Sequence, residues 1–336
     1  MCLNTTLLFK TNMQYNISLL SIDLETVNSF AAKLGTKATE SNIVLYHGDL
    51  DDKVLNIAAA ISYPEKIETV FQCAEISECA IVVLPADYIL DYRLGELVII
   101  LNYLNKKVCF IIDKTNCESD FKIADMRSKL EALLANTSLK DSKIIDVSLK
   151  NDSEINELKA WIKSIEFEKS DKPLFVMDHF FDVKSIGTVL LGELKTGTMK
   201  AYDKFKIYPL KKEVLVKSMR VMDVDQKEVL APIRPGLAVK GVKVDELKRG
   251  FVLSAEELPV IEELSGTFEK NPFYKNDISN GEKYRVALGA QIVEGVIEDL
   301  NFKMKLEKPL VKYLDTAVIF RSDLKTGLRV VGKVRI

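Results

Sequence analysis

Residue types that commonly do chemistry are sparse and scattered in this chain. Its only histidines are His47 and His179, and its five cysteines (Cys2, Cys73, Cys79, Cys109, Cys117) include no C-x-x-C pair. A zinc site would need ligands that the sequence does not group, so no metal is expected. An odd cysteine count, with Cys109 inside the apolar run Val108-Cys109-Phe110-Ile111-Ile112, reads as free thiols in a reducing compartment. No Ser/His/Asp, Cys/His or paired-carboxylate grouping suggests catalysis, and His47 beside Gly48-Asp49 stands alone. A phosphate-cradling G-x-x-x-x-G-K-[ST] loop is also missing. The one Gly-Lys pair is Gly332-Lys333, followed by valine near the C-terminus.

Charge is distributed unevenly. The net charge of −2 combines −7 over residues 1–170, +5 over 171–255 and zero over 256–336. The basic middle segment interleaves Phe180, Phe181, Tyr202, Phe205 and Tyr208 with Lys184, Lys200, Lys204 and Lys206. Stacking plus phosphate contact is one use of such a pattern. Alternation at period two more often places aromatics inside a barrel and lysines outside, and that is the preferred reading.

The elements that would position these groups follow a two-part pattern. Up to residue 170, apolar strand runs (15–22, 42–46, 54–60, 80–84, 108–112, 142–146) alternate with amphipathic helical segments. Runs such as Ile81-Val82-Val83-Leu84 are apolar at every position, as in strands buried on both faces of a parallel sheet. The pattern predicts a doubly wound α/β domain. Near Lys169–Pro173 it changes to short strands punctuated by Gly187, Gly192, Gly197, Gly236, Gly241 and Gly250. Such punctuation predicts antiparallel barrels, with a softer boundary at 254–264. Expected domains are therefore 1–170, 171–255 and 256–336. No run approaches the roughly 20 apolar residues of a membrane span, and no basic, apolar leader opens the chain. Cytoplasmic residence is expected, with neither membrane nor DNA as a partner.

Residues 177–253 carry a family resemblance. Met177-Asp178-His179-Phe180, Val183 to Val189 and Gly192-Glu193-Leu194-Lys195-Thr196-Gly197 resemble the opening of the second domain of elongation factor Tu-type proteins. Arg234-Pro235-Gly236 through Val242 and Leu247-Lys248-Arg249-Gly250-Phe251-Val252-Leu253 continue the match in order. Gly289 to Val293, Leu306 to Leu310 and Leu328 to Val334 resemble the third domain, particularly of selenocysteine-specific elongation factors. The resemblance implies a P-loop-type α/β G domain, here degenerate, followed by two antiparallel β-barrels. The further C-terminal domain typical of selenocysteine factors would be missing.

Carried over residue by residue, that resemblance implies a lost nucleotide site. Where the phosphate loop belongs the chain reads Ser21 to Asn28: Ser21 and Thr26 replace glycines, Val27 the lysine and Asn28 the metal ligand. Where D-x-P-G-H belongs it reads Ser62-Tyr63-Pro64-Glu65-Lys66, so Ser62 replaces a carboxylate and Glu65 a glycine. The guanine motif N-K-x-D appears as Asp113-Lys114-Thr115-Asn116, and Asn116 cannot accept both guanine N–H donors. Val147-Ser148-Leu149-Lys150 resembles the last base-contacting loop. Losing several charge-assisted contacts, at about 1.5–3 kcal/mol each, would abolish useful affinity. The expectation is a pseudo-GTPase without cofactor, not an enzyme.

In that family the second domain holds the aminoacylated end of tRNA. The matching positions imply an aminoacyl pocket formed by Asp178, His179 and Arg234, in which Arg234 and a protonated His179 hold an anionic group and Asp178 orients them. Ser185, where many relatives have glycine, departs from the pattern nearby. Expected partners are tRNA or aminoacyl-tRNA, and the ribosome or other translation factors. The competing reading is a protein-interaction or ribosome-docking module on the same scaffold, without RNA contact.

Overall fold

In the computed structural model, residues 14–39, 41–167, 170–299, 302–324 and 326–336 are described. Cys2, and Lys169 at the change of pattern, lie outside them.

The first domain runs β1 (Gln14–Ser21), α1 (Leu24–Leu34), β2 (Thr36–Lys37), β3 (Val44–Leu50), β4 (Lys53–Ala59), α2 (Glu68–Glu75), β5 (Cys79–Pro85), α3 (Tyr92–Tyr103), β6 (Lys107–Asp113), α4 (Asp120–Leu134), β7 (Lys143–Val147) and α5 (Asp152–Lys163). Its seven-stranded sheet has the order β2-β3-β4-β1-β5-β6-β7. Five strands are parallel, as the all-apolar runs predict. The edge departs from that expectation: β3 pairs antiparallel with β4, and β2 with β3. A tight turn at residues 51–52 is the cause, with Asp51 in the left-handed region at φ 58°. β3 also extends past Tyr46 through His47-Gly48-Asp49, because hairpin pairing continues the ladder where the apolar run stops. Only glycine fits at 48, since a Cβ there would lie 2.0 Å from the Leu34 carbonyl oxygen.

The second domain contains β8 (Leu174–Val183), β9 (Gly187–Thr196), β10 (Thr198–Lys200), β11 (Lys204–Tyr208), β12 (Lys212–Val221), β13 (Val224–Gln226), β14 (Glu228–Leu230), β15 (Gly236–Lys240) and β16 (Val252–Ser254). The order β11-β16-β8-β9-β15-β12 closes through β11–β12 pairing into a six-stranded barrel. Of the interleaved aromatics, Phe205 points into its packed interior. Tyr208, on the opposite face of β11, is buried in the core shared with the first domain, and Phe181 and Tyr202 are exposed, so the reading of aromatics inside and lysines outside holds for Phe205 and not for the set.

The third domain is a seven-stranded antiparallel half-barrel of β17 (Val260–Ser265), β18 (Thr267–Lys270), β19 (Lys283–Leu288), β20 (Gln291–Asp299), β21 (Lys303–Val311), β22 (Thr316–Phe320) and β23 (Val330–Arg335), ordered β17-β21-β20-β19-β22-β23-β18.

One face of the first sheet is covered by α1 and α5, with Phe30 of α1 in the same core as Leu19, Ile57 and Ile81 of the sheet. The other face, under α2 and α3, is continuous with residues of both later domains, including Val176, Val252, Ala287 and Phe320. Phe71 of α2 stacks on Phe320 with ring centroids 5.0 Å apart. No helix among the described residues is long and apolar enough to cross a membrane.

Candidate functional site

At the C-terminal end of β1 only Ile22 and Asp23 separate strand from helix. The Ser21 hydroxyl donates to the Val83 carbonyl at 2.8 Å. Asp23 caps α1: its carboxylate accepts from the Thr26 N–H and from the Thr26 hydroxyl, both at 2.8 Å. The positive end of the helix therefore already faces a carboxylate of the chain itself. Val27 is turned into the core, and Asn28 is exposed with its side-chain oxygen 3.4 Å from the Tyr46 hydroxyl.

In the segment before α2, Ser62 accepts the Lys66 N–H through its carbonyl, and the side chains of Glu65 and Lys66 point to solvent. The Pro64 carbonyl accepts from Arg329 of the third domain at 2.7 Å. Arg329 in turn lies against Glu96 of α3, and both are buried.

The loops after β6 and β7 form one hydrogen-bonded unit. Asp113 accepts the Thr115 N–H, and the Thr115 hydroxyl accepts the Leu149 N–H. Glu154 is its hub: it accepts the Ser148 N–H at 2.7 Å and the Asn151 amide at 2.8 Å, and pairs with Lys114 at 2.9 Å. The bond to Glu154 pushes the Lys114 ammonium above its usual range. Burial works against the charge on Glu154, but its donors more than offset it and hold the carboxyl low. Asn116 is exposed.

Asp178, His179 and Arg234 come together where the first domain meets the barrel. Arg234 and Asp178 form a bidentate pair, with Nη2 donating at 2.7 Å, and both side chains are about nine-tenths buried. Burial disfavours the Arg234 charge, yet Asp178 more than offsets this and holds it above its usual range. Arg249 donates to the Asp178 carbonyl at 2.8 Å and to Gln72 at 3.0 Å. His179 is exposed, its ring tilted 6.0 Å from that of Phe181. These groups line a small cavity of about 170 Å³. Arg234 also borders a cleft of about 790 Å³, whose barrel wall combines apolar side chains (Phe181, Val183, Ile186, Leu191) with Arg220, Asp223 and Asp225 and whose opposite wall includes Gln14, His47 and Asn56. Ser185, at the turn between β8 and β9, has φ 73°, a conformation that glycine adopts at lower cost.

No family model matches the chain. Among curated proteins, an uncharacterized protein of Methanocaldococcus jannaschii is 30% identical over 313 residues, covering 92% of this chain and 96% of that one. The selenocysteine-specific elongation factor of the same organism is 28% identical over 276 residues. That match covers 78% of this chain and 58% of the factor's length. The crystal structure of translation elongation factor SelB from Methanococcus maripaludis, in complex with the GTP analogue GPPNHP, superposes with a TM-score of 0.83. It is 22% identical, and the superposition covers 97% of this chain and 79% of that one. This chain belongs to the translational GTPase family of Tu-type and selenocysteine-specific elongation factors. Its architecture is that of SelB: an α/β G domain, a closed barrel and a half-barrel.

The segments that the resemblance matches to nucleotide motifs lie along one edge of the first sheet. Residues 21–28, 62–66, 113–116 and 147–150 all follow the C-terminal ends of β1, β4, β6 and β7. Sequence reasoning missed the two carboxylates at their centre. Asp23 was legible as a helix cap three residues before Thr26, whereas Glu154 had no signal beyond being an acid in the first turn of α5. Arg249 and Arg329 sat inside matched segments, but their partners Gln72 and Glu96 lie far off in the chain.

Proposed function

We propose that this elongation factor-like protein is a pseudo-GTPase that binds tRNA or aminoacyl-tRNA without a GTP cycle. The observation that carries the reading is the pair of internal carboxylates. Asp23 occupies the helix N–H that would meet phosphate, and Glu154 occupies the Ser148 N–H and Lys114 that would meet the base. A nucleotide would have to displace both while bringing its own negative charge, with Val27 in place of the phosphate lysine. Calorimetric titration with GTP and Mg²⁺ is expected to show no binding at micromolar concentrations. A micromolar dissociation constant would sink this half of the proposal.

The barrel side supports retained recognition. Arg234 and Arg249 against Asp178 leave the small cavity one net positive charge, with His179 at its rim. That balance favours an anionic aminoacyl group, with Asp178 holding Arg234 in place. Filter binding with total tRNA at low salt is expected to show retention that weakens as salt rises. If no tRNA is retained, the docking module without RNA contact takes its place.

A further inference from the structure

The seam between β1 and β9, which joins the first domain to the barrel beside the candidate cleft, buries more acid than base. Asn16 of β1 is its centre. The Asn16 side-chain oxygen accepts from Asn56 at 2.7 Å, which fixes the amide so that Nδ2 faces two carboxyls. That one NH2 group donates to Glu78 at 3.1 Å and to Glu193 of β9 at 3.3 Å. Glu78 also accepts the Asn16 backbone N–H at 2.7 Å. Glu193 is 1% exposed, and its other oxygen has no hydrogen-bond partner among the described residues.

Among the described residues, the groups facing this pair are these. From α2 comes Glu75. From the barrel comes Lys195, whose Nζ lies 3.6 Å from Glu75 and 4.0 Å from Glu193. After α3 comes Lys106, which donates to the Ser77 carbonyl at 2.7 Å. From the third domain comes the buried hydroxyl of Tyr313. Arg234 acts on Glu193 from the segment before β15 but is neutralised by Asp178. Three carboxyls thus face two ammonium groups, and full ionisation would leave one uncompensated negative charge in a seam where Glu75 and Glu193 are buried and Glu78, Lys106 and Lys195 are partly buried. Two carboxyls drawn to one amide cannot both stay ionised at low cost.

We infer that Glu78, held with Glu193 on the one Asn16 amide, keeps its proton when the first domain is seated on the barrel, so the seam is a proton-linked latch on the candidate cleft. It deepens the function proposed above by supplying regulation at that site, and rests on that reading only for what the cleft holds. Burial, then the neighbouring Glu193, push the Glu78 carboxyl well above the ordinary range, while burial, then Lys195, push Lys106 down. For a carboxyl raised in the closed form, closure is favoured below its ordinary pKa. The advantage is lost as pH rises through the raised value. In relatives with a nucleotide, that ligand biases domain arrangement; here the proton has the differential affinity that a two-state seam requires.

The test uses the full chain without RNA. Infrared difference spectra at neutral pH are expected to show a protonated-carboxyl band that shifts with labelled glutamate and disappears on alkalinisation. The unfolding midpoint should fall as pH rises above the ordinary carboxyl range, with a slope approaching one proton. Glu78→Gln and Glu193→Gln should each flatten it. Absence of the band in the unmodified protein overturns the proposal even if neither variant folds, and so does an unchanged slope in both variants. A band and slope found together with failed tRNA retention would sink the RNA reading and leave the latch standing.

Discussion

Arg329 of the third domain and Glu96 of α3 meet in a buried pair, in which Glu96 Oε1 accepts the Arg329 backbone N–H at 2.9 Å and Nε at 3.1 Å. Neither side chain reaches solvent to any extent, and Arg329 spends a further donor on Pro64. One arginine therefore ties the segment before α2, helix α3 and the half-barrel together.

Removing Glu96 strands a buried guanidinium. Glu96→Ala is expected to cost about 3–5 kcal/mol, because the desolvated charge loses its partner. The double change Glu96→Leu with Arg329→Met is expected to cost much less, since a buried pair can often be replaced by apolar side chains. Urea unfolding of both variants measures the difference; equal losses would show that packing, not the stranded charge, dominates there.

Asp23 supports a second prediction, on helix stability and on nucleotide together. Asp23→Ala should destabilise the chain by about 1 kcal/mol through loss of the α1 cap, and Asp23→Ser should retain most of it. Neither change should create GTP binding, since Val27 and the short β1–α1 connection remain. Thermal unfolding with and without GTP·Mg²⁺ tests both parts, and a nucleotide-dependent rise in midpoint for Asp23→Ala would mean that the carboxylate alone blocks the site.

The sequence carried the architecture well because its signals were local. Ile81 to Leu84 reads as a doubly buried strand from four side chains, and Gly187 or Gly236 as barrel punctuation from one. The β3–β4 hairpin was missed because Asp51-Asp52 is a weak turn signal and the strand passes through His47-Gly48-Asp49. Site partners were less legible still. Gln14 accepts the Arg234 N–H and Asn16 reaches Glu193 across most of two domains, contacts fixed only when the first sheet is seated on the barrel.

The Asp178–Arg234 pair separates a structural role from a recognition role. Arg234→Ala leaves a buried carboxylate and should destabilise the barrel seam by about 3–5 kcal/mol. The double change Asp178→Asn with Arg234→Gln relieves that charge. It is expected to restore much of the stability while abolishing any preference for charged over uncharged tRNA. His179→Ala, at an exposed position, should weaken the preference without a stability loss. If the preference persists in the folded double variant, Asp178, His179 and Arg234 are not the aminoacyl pocket.

His47 gives a pH prediction whose sign follows from its partners. Asn56 spends its NH2 group on Gln14 and Asn16, so its side-chain oxygen is left to accept from His47 Nδ1 at 2.7 Å. The bond therefore fixes a proton on Nδ1, in the neutral and in the charged ring alike. Burial pushes the imidazole below its usual range, the bond to Asn56 opposes the shift, and nearby Arg234 adds to it. In the folded protein His47 therefore binds its second proton less readily than in the unfolded chain. Its contribution to stability is complete above the ordinary histidine pKa of about 6.5, and is lost as pH falls through the lowered value. His47→Gln keeps a donor for Asn56 without a titrating ring. Unfolding midpoints measured from about pH 7 to about pH 5 should fall more steeply for the native protein than for this variant, and parallel curves would remove His47 as the source.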